Sequence, residues 1–491
     1  MTSTSTPPRP SAASTTVEEA VAAAADAQPA VSAAPYEQRA RWLESLADEL
    51  DANSDELVPL ADAETSLGGT RLSGELARTS AQLRLFAHVV REGSFVEAMV
   101  DHRNDDATPP IPDLRRMLVP LGPVGVFAAS NFPFAFSVLG GDTASALAAG
   151  NSLVVKAHEG HPELSRRVSE LAHAALSRAG APRGILGMVE GRDAGVALVE
   201  DPRIMAVGFT GSVRGGRSLF DAAGRRERPI PFYGELGSLN PVVVTPGAAS
   251  ARTDDVAEGL AASFTMGAGQ FCTKPGVVFV PADSRLDAAL AARVEARQFH
   301  MLNDRIASGF RDRLAEVTRV TAVDVVAGEP GDVGEGAEVP GPIVLSTTVD
   351  AVLEDPEVLL DEVFGPVTLL VRYDTLDRVR EALRAAPGSL TTTLHAEDGE
   401  DVRGLLDQMA QLSGRVLYGG WPTGVAVSWA QQHGGPYPAS TSLHTSVGTT
   451  AIRRFLRPVA YQTMPDALLP EPLQEANPLG IPRRVDGRFE Y

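Results

Sequence analysis

The spacing of apolar and polar positions divides the chain into a helical N-terminal part and a longer part built of repeated strands and helices. Up to about residue 97, apolar residues recur every three or four positions, most clearly over 39–50 and 74–90, which predicts amphipathic helices. From Met117 onward, apolar runs of strand length alternate with helical stretches. This alternation predicts parallel sheets with helices on both faces, because parallel strands are joined by helical crossovers.

The strand-and-helix pattern occurs twice. Strands of the first series are predicted at 124–128, 152–155, 185–189 and 205–209, and those of the second at 241–244, 276–280, 343–346 and 367–371. A helix is predicted at 286–297 in the second series, and a loop or excursion at 101–113. The repeat predicts an α/β fold with two doubly wound domains in one chain.

Composition narrows the class of protein. The net charge of −20 disfavours binding to nucleic acid or to anionic membranes. The sequence contains no apolar run of 18 residues, so no membrane span is expected. Residues 1–16 are rich in Ser, Thr and Pro and predict a disordered tail without the apolar centre of a signal peptide. A cytoplasmic enzyme is the expectation.

Cys272 is the only cysteine, which excludes an intrachain disulfide and a cysteine-rich metal site. The histidines are scattered without metal-ligand spacing, and no metal is predicted. Cys272 follows Gly267 and Gly269, which let the backbone come close to whatever the thiol contacts. A nucleophilic role and that of a buried small apolar side chain both stay open. Lys274, one of two lysines, is a candidate for favouring the thiolate, although its retention by chance is also open.

Two further segments carry polar side chains suited to acyl chemistry. Glu235 stands in an apolar stretch beside Gly234, and partial burial would suit it to act as a general base, although most glutamates lie on solvated faces. Asn131 directly follows a predicted strand and could offer its side-chain N–H to a developing oxyanion. An Asx turn ahead of Pro133 is the equally good alternative.

Candidate cofactor residues also follow predicted strands. Lys156 and the turn Gly211-Ser212 lie at carboxyl ends of strands, where doubly wound sheets bind ligands, and that turn could receive a pyrophosphate. Ordinary strand-to-helix turns explain either one equally well. The sequence contains no Gly-x-Gly-x-x-Gly fingerprint. The acidic and aromatic segment 361–366 has two interpretations: it contacts the ribose and a flat ring of a cofactor, or it is a simple turn.

Taken in order, these segments resemble the aldehyde dehydrogenase superfamily over about residues 17–462. The matches are Ser130-Asn131-Phe132-Pro133, Val155-Lys156, Phe209-Thr210-Gly211-Ser212, Glu235-Leu236-Gly237, Gly269-Gln270-Phe271-Cys272 and Glu362-Val363-Phe364-Gly365-Pro366. Ser238 departs from the second glycine that commonly follows Glu-Leu-Gly. The resemblance implies a family that binds NAD or NADP without the usual glycine fingerprint.

The resemblance also implies roles for individual residues. Cys272 would attack a small-molecule aldehyde, Asn131 and the Cys272 N–H would hold the oxyanion, and Glu235 would activate the water that hydrolyses the thioester. The implied cofactor residues are Lys156 and Glu159 at the adenosine ribose, Gly211 and Ser212 at the pyrophosphate, and Glu362 and Phe364 at the nicotinamide ribose and ring. The Glu159 carboxylate favours NAD over NADP, unless His158, His161 or Arg183 offsets it.

A domain division follows from the same likeness. It gives a cofactor-binding domain at 17–100 and 119–235, a catalytic domain at 236–445, an oligomerisation extension at 101–118 and 446–465, and a C-terminal surface segment at 466–491. The extension would place a strand at 454–462 on a neighbouring subunit's sheet, paired with the excursion near 101–118. A homodimer or homotetramer is therefore expected.

The C-terminal third narrows the substrate. Its segments 420–425, 433–439, 445–449 and 454–458, with Leu390-Thr391-Thr392-Thr393-Leu394-His395, resemble the dehydrogenases of α-ketoglutaric semialdehyde (2,5-dioxopentanoate). Such a substrate calls for a positively charged or hydroxyl-rich mouth near Cys272. The alternatives are an NADP-dependent fatty aldehyde dehydrogenase, an enzyme that passes the acyl group to coenzyme A, and a catalytically silent binding protein. Glu235 disfavours the coenzyme A reaction, and the presence of all three candidate catalytic residues disfavours the silent protein.

Overall fold

The computed structural model describes residues 16–331 and 336–490, so the tail expected at 1–16 lies outside the described residues except for Thr16. Thr16 caps the first helix: its hydroxyl accepts from Glu19 N at 3.2 Å, and the Glu19 carboxylate accepts from Thr16 N at 3.0 Å. The N-terminal part is helical, as predicted, with α1 (Val17–Ala33), α2 (Tyr36–Ala52), α3 (Ser54–Thr65) and α4 (Gly69–Glu92).

A five-stranded parallel sheet follows, with the order β5-β4-β3-β6-β7. Its strands and the helices between them are β3 (Val124–Phe127), α5 (Gly141–Ala149), β4 (Leu153–Lys156), α6 (Pro162–Arg178), β5 (Leu186–Val189), α7 (Arg192–Glu200), β6 (Ala206–Thr210), α8 (Val213–Arg225) and β7 (Phe232–Glu235). The strand order reverses between β3 and β6, which is where ligands bind in doubly wound sheets.

The second sheet has seven strands in the order β11-β13-β14-β9-β8-β15-β16, all parallel except β11. Its strands are β8 (Val242–Val244), β9 (Val277–Pro281), β11 (Asp324–Ala327), β13 (Ile343–Thr348), β14 (Val367–Tyr373), β15 (Ser389–His395) and β16 (Ser413–Tyr418). The helices of this part are α9 (Pro246–Ala251), α10 (Thr253–Thr265), α11 (Leu286–Ala291), α12 (Asp304–Thr318), α13 (Val349–Glu354), α14 (Pro356–Leu359), α15 (Leu376–Ala385) and α16 (Arg403–Leu412).

The helix predicted at 286–297 is shorter than expected. It ends at Ala291, and Arg297–His300 forms β10, which pairs antiparallel with β12 (Glu338–Gly341). Only Phe299 of β10 is buried, so the segment carries too little apolar periodicity to distinguish a strand from the end of a helix.

A third sheet combines the chain's excursion with its C-terminus. Its order is β17-β2-β1-β18-β19, built from β1 (Met99–Asp101), β2 (Leu114–Pro120), β17 (Leu456–Gln462), β18 (Arg483–Val485) and β19 (Arg488–Glu490). Strand β17 pairs antiparallel with β2 of the same chain over seven residue pairs and is an edge strand among the described residues. Its pairing with a neighbouring subunit stays a prediction.

The C-terminal segment, expected at the surface over 466–491, adds two short strands to the third sheet. Strand β18 pairs with β1, and the side chains of Leu473 and Ile481 are buried. The two strands are three residues long, β18 buries only Arg483 and β19 is exposed, so their sequence lacks the apolar alternation by which strands are predicted. Among the described residues, no helix is long and apolar enough to cross a membrane.

Candidate active site

Cys272 lies after a tight turn that fixes its backbone against a neighbouring loop. Gly267, Ala268 and Gly269 all have positive φ angles, between 56° and 67°. A Cβ at Gly269 would lie 2.1 Å from the carbonyl oxygen of Gly365, so only glycine fits there. The amide of Asn240 donates to the carbonyls of Cys272 at 2.8 Å and Lys274 at 3.0 Å. The half-buried thiol therefore stands on an ordered backbone.

The structure places Glu235 and Cys272 beside His433, a residue to which the sequence analysis assigned no role. His433 Nε2 lies 3.0 Å from Glu235 Oε1 and 3.6 Å from Cys272 Sγ. Glu235 is 3% exposed and His433 1%. The Ser446 hydroxyl donates to Glu235 Oε2 at 2.5 Å. Both His433 and Ser446 lie in C-terminal segments that the sequence analysis used only to identify the substrate branch.

The protonation of this cluster follows from burial and neighbouring charges. Burial acts to raise the pKa of Glu235, but the charge of His433 and the hydrogen bonds from His433 and Ser446 outweigh it and leave the pKa below its ordinary value. Burial and the Glu235 carboxylate raise the pKa of the Cys272 thiol well above its ordinary value. The structure thus holds a thiol beside an ionised carboxylate, and the nucleophile needs a base to become a thiolate.

Lys274 does not favour the thiolate as the sequence suggested. Its ammonium donates to the carbonyls of Val363 at 2.6 Å and Val367 at 3.0 Å, which holds the loop that carries Glu362 and Phe364. Arg78 acts to lower the pKa of Cys272 instead, and Arg415 also interacts electrostatically with Cys272. The direction of a lysine side chain two residues after a turn is not encoded in sequence spacing.

Asn131 follows β3 and lies beside the nucleophile segment. Its side-chain Nδ2 donates to the carbonyl of Gln270 at 3.0 Å, two residues before Cys272. One of the two Nδ2 hydrogens is used in this bond, which leaves the other for a substrate oxygen.

Glu235, Cys272 and His433 have ligand atoms that lie within 4.8 Å of one another, a grouping that could hold a metal ion. Sequence spacing cannot reveal this grouping, because the three residues come from distant segments.

The predicted cofactor residues lie at the carboxyl ends of the first sheet. Lys156 ends β4 and forms an ion pair with the exposed Glu159 at 3.5 Å. Ser212 caps α8 by accepting from Gly215 N at 3.2 Å, and Gly211 N donates to the Glu235 carbonyl at 3.0 Å. The N-terminus of the 13-residue helix α8 therefore faces the switch point, where a pyrophosphate would be stabilised by backbone N–H groups.

Glu362 and Phe364 lie on the loop between α14 and β14. Glu362 Oε2 accepts from Ser238 N at 3.3 Å, close to Glu235 in sequence. Burial raises the pKa of Glu362 to about 7, against the opposing charge of Lys274. The side chain of Phe364 is half-buried. This set of carboxylate, ring and helix N-terminus fits a dinucleotide.

The histidines near Lys156 do not supply the positive charge considered from the sequence. Burial lowers the pKa of His158 to about 3 and also lowers that of His161, whose Nε2 bonds to the Ala129 carbonyl at 2.9 Å. Both rings are therefore neutral at pH 7.

Known proteins are similar to this chain in sequence and in fold. The model of the aldehyde dehydrogenase family matches residues 4–457. Alpha-ketoglutaric semialdehyde dehydrogenase 2 of Azospirillum brasilense is 47% identical over 98% of this chain and 93% of its own length. Alpha-ketoglutaric semialdehyde dehydrogenase of Acinetobacter baylyi is 40% identical over 92% of this chain and 87% of its own.

Solved structures show the same fold at lower identity. The structure of 3,6-anhydro-L-galactose dehydrogenase in complex with NAP has a TM-score of 0.77 at 23% identity, covering 91% of each chain. A 1-pyrroline-5-carboxylate dehydrogenase from Thermus with bound NAD has a TM-score of 0.75 at 23% identity, covering 91% of this chain and 85% of its own. The predicted α/β fold and the predicted dehydrogenase class are confirmed: the chain belongs to the aldehyde dehydrogenase family.

Proposed function

We propose that the protein oxidises 2,5-dioxopentanoate to 2-oxoglutarate, with NAD or NADP as the oxidant and Cys272 as the nucleophile. The observation that carries the chemistry is the meeting of Cys272, Glu235 and His433 within 4.8 Å. The substrate is supported by the two relatives named alpha-ketoglutaric semialdehyde dehydrogenase, which align with nearly the whole chain.

Acylation begins with removal of the Cys272 proton. The Glu235 carboxylate is the base within reach, because the Cys272 thiol hydrogen-bonds to it, while His433 Nε2 donates to Glu235 Oε1 at 3.0 Å and lies 3.6 Å from Sγ. The thiolate attacks the aldehyde carbon, a C–S bond forms, and the carbonyl oxygen becomes an oxyanion held by Asn131 Nδ2 and the Cys272 N–H. When bound, NAD or NADP supplies the acceptor for the hydride that leaves this carbon.

Deacylation uses the same carboxylate. The thioester on Cys272 is attacked by a water molecule that gives a proton to Glu235, the C–S bond breaks, and the carboxylic acid leaves. The lowered pKa of Glu235 keeps it ionised at neutral pH, as a base must be. A buried base next to the thioester favours hydrolysis over transfer of the acyl group to coenzyme A.

The test is the initial rate of NAD(P)H formation with 2,5-dioxopentanoate and with a long-chain aliphatic aldehyde, each against NAD and NADP. We expect kcat/KM to be at least about tenfold higher for the dicarbonyl acid. A preference for the fatty aldehyde would overturn the substrate while leaving Cys272, Glu235 and Asn131 in their roles. Stimulation of product formation by coenzyme A would contradict the hydrolytic step.

A further inference from the structure

Two arginines and a glutamate line one face of α4 and approach the loop that carries Asn131. Arg71, Glu75 and Arg78 are spaced by four and three residues, so their side chains share one side of the helix. Arg71 donates to the carbonyl of Asn131 at 2.5 Å. The Glu75 carboxylate, which is 5% exposed, accepts from Phe134 N at 2.8 Å and from Ala135 N at 3.0 Å.

The arginines lie against the aromatic side chains around the nucleophile. The Arg71 guanidinium is 4.9 Å from the ring of Phe271, which directly precedes Cys272, and 5.1 Å from that of Phe132. The Arg78 guanidinium is 5.7 Å from the ring of Phe136, which in turn lies 6.5 Å from the ring of His433. Arg78 also interacts electrostatically with Cys272 and Glu235.

The guanidinium groups retain unmet hydrogen-bonding capacity. Arg71 Nη1 and Arg78 Nε are both buried and have no hydrogen-bond partner. Burial lowers the pKa of both arginines, which reflects the cost of keeping their charge away from water. Glu75 lies 3.9 Å from Arg71, and burial raises the pKa of its carboxyl, so it offsets at most one of the two guanidinium charges. Buried guanidinium donors without partners are suited to an anion, in a protein whose net charge is −20.

We propose that Arg71 and Arg78 form the subsite that binds the substrate's carboxylate. The inference rests on the proposed function for the identity of the substrate, and deepens it by naming the residues that select an acid over a neutral aldehyde. In 2,5-dioxopentanoate the carboxylate carbon is about 5 Å from the aldehyde carbon in the extended chain. The aldehyde then lies at Cys272 while the carboxylate accepts from the free guanidinium N–H groups, and the phenylalanine rings enclose the carbons between them.

The experiment compares one acid with a neutral aldehyde of the same length. Arg71→Met, Arg78→Met and the double variant are assayed with 2,5-dioxopentanoate and with pentanal. The matched control is Arg84→Met, because Arg84 lies on the same helix and pairs at the surface with Asp48 at 2.7 Å and Asp51 at 2.8 Å. Circular dichroism reports whether each variant is folded.

Loss of a charge-assisted hydrogen bond predicts that KM for 2,5-dioxopentanoate rises about 10- to 100-fold in Arg78→Met and further in the double variant. The ratio of kcat/KM for 2,5-dioxopentanoate to kcat/KM for pentanal is expected to fall at least about tenfold in Arg78→Met, and Arg78→Lys is expected to recover part of the affinity. Equal losses with both substrates, or no loss with the acid, would overturn the subsite.

A second measurement separates this subsite from the proposed function. Glutarate is titrated as an inhibitor of pentanal oxidation, which needs no turnover of 2,5-dioxopentanoate. Weaker inhibition in Arg78→Met than in Arg84→Met supports the subsite. This result stands even if the wild-type protein oxidises 2,5-dioxopentanoate poorly, an outcome that would contradict the proposed function alone. Inhibition of equal strength in both variants would overturn the subsite.

Discussion

The nucleophile side of the site, around Cys272, and the cofactor side, around Lys156 and Ser212, are built in different ways. The half-buried Cys272 interacts with the buried Glu235 and His433 from distant segments, and these contacts shift the pKa values of Glu235 and Cys272. On the cofactor side, Lys156, Glu159 and Ser212 are at least partly accessible, and the helix N-terminus offers backbone N–H groups. Substitutions on the nucleophile side should therefore change chemical steps, and those on the cofactor side should change binding.

The largest effect is expected from Cys272→Ala. Without the thiol no thioester forms, and kcat should fall by about 10⁴-fold or more. The measurement is steady-state NAD(P)H formation with 2,5-dioxopentanoate, together with cofactor binding followed by fluorescence. Because Cys272 is the only cysteine, alkylation of the wild-type protein with iodoacetamide should cause the same loss with one modified site. Dehydrogenase activity retained in Cys272→Ala would remove the central mechanistic proposal.

Glu235→Gln should slow both halves of the reaction. The amide can accept neither the proton of the Cys272 thiol nor that of the attacking water, so acylation and deacylation should each slow by about 10²- to 10³-fold. A rapid-mixing experiment should then show no burst of NAD(P)H and a steady state that is slowed to the same extent. Glu227→Gln, at an exposed position, is the control. A burst that is retained in Glu235→Gln and followed by a slow steady state would confine Glu235 to deacylation.

His433→Gln should shift the pH profile and lower kcat by about tenfold. The charge and the hydrogen bond of His433 lower the pKa of Glu235, so their removal raises that pKa toward the value burial favours. A base with a raised pKa is protonated at higher pH, and the acidic limb of the kcat profile should therefore move to higher pH. His300→Gln, at an exposed residue whose Nδ1 lies 2.7 Å from Glu338 Oε1, should leave the profile in place. An unmoved limb in His433→Gln would mean that His433 does not set the protonation of Glu235.

Sequence alone could predict the parts of the site that lie in contiguous segments. The α/β fold, the nucleophile segment and the turn at Ser212 each depend on residues adjacent in the chain. His433 and Ser446 approach Glu235 across 198 and 211 residues, so no local pattern pairs them. The face of α4 that carries Arg71 and Arg78 has helical spacing, but its direction toward the active site depends on tertiary packing. The sequence left the role of Lys274 open, because nearness in sequence does not fix which way a side chain points.

The smallest effect, and the sharpest test of the cofactor side, is expected from Glu159→Gln. The Glu159 carboxylate lies 3.5 Å from the Lys156 ammonium at the end of β4, where we place the adenosine ribose. A carboxylate there repels a 2′-phosphate, and the neighbouring His158 and His161 are neutral, so the wild-type protein should prefer NAD. Removing the negative charge leaves Lys156 free to attract the phosphate, and the ratio of kcat/KM for NADP to that for NAD should rise about fivefold at low salt.

The kcat with NAD should stay unchanged, because the substitution lies outside the nucleophile cluster. Glu163→Gln, an exposed change on α6, should leave the ratio as it is. If Glu159→Gln lowers kcat with both cofactors equally, the nucleophile side and the cofactor side are coupled. Substitutions on the cofactor side then change the chemical steps as well as binding.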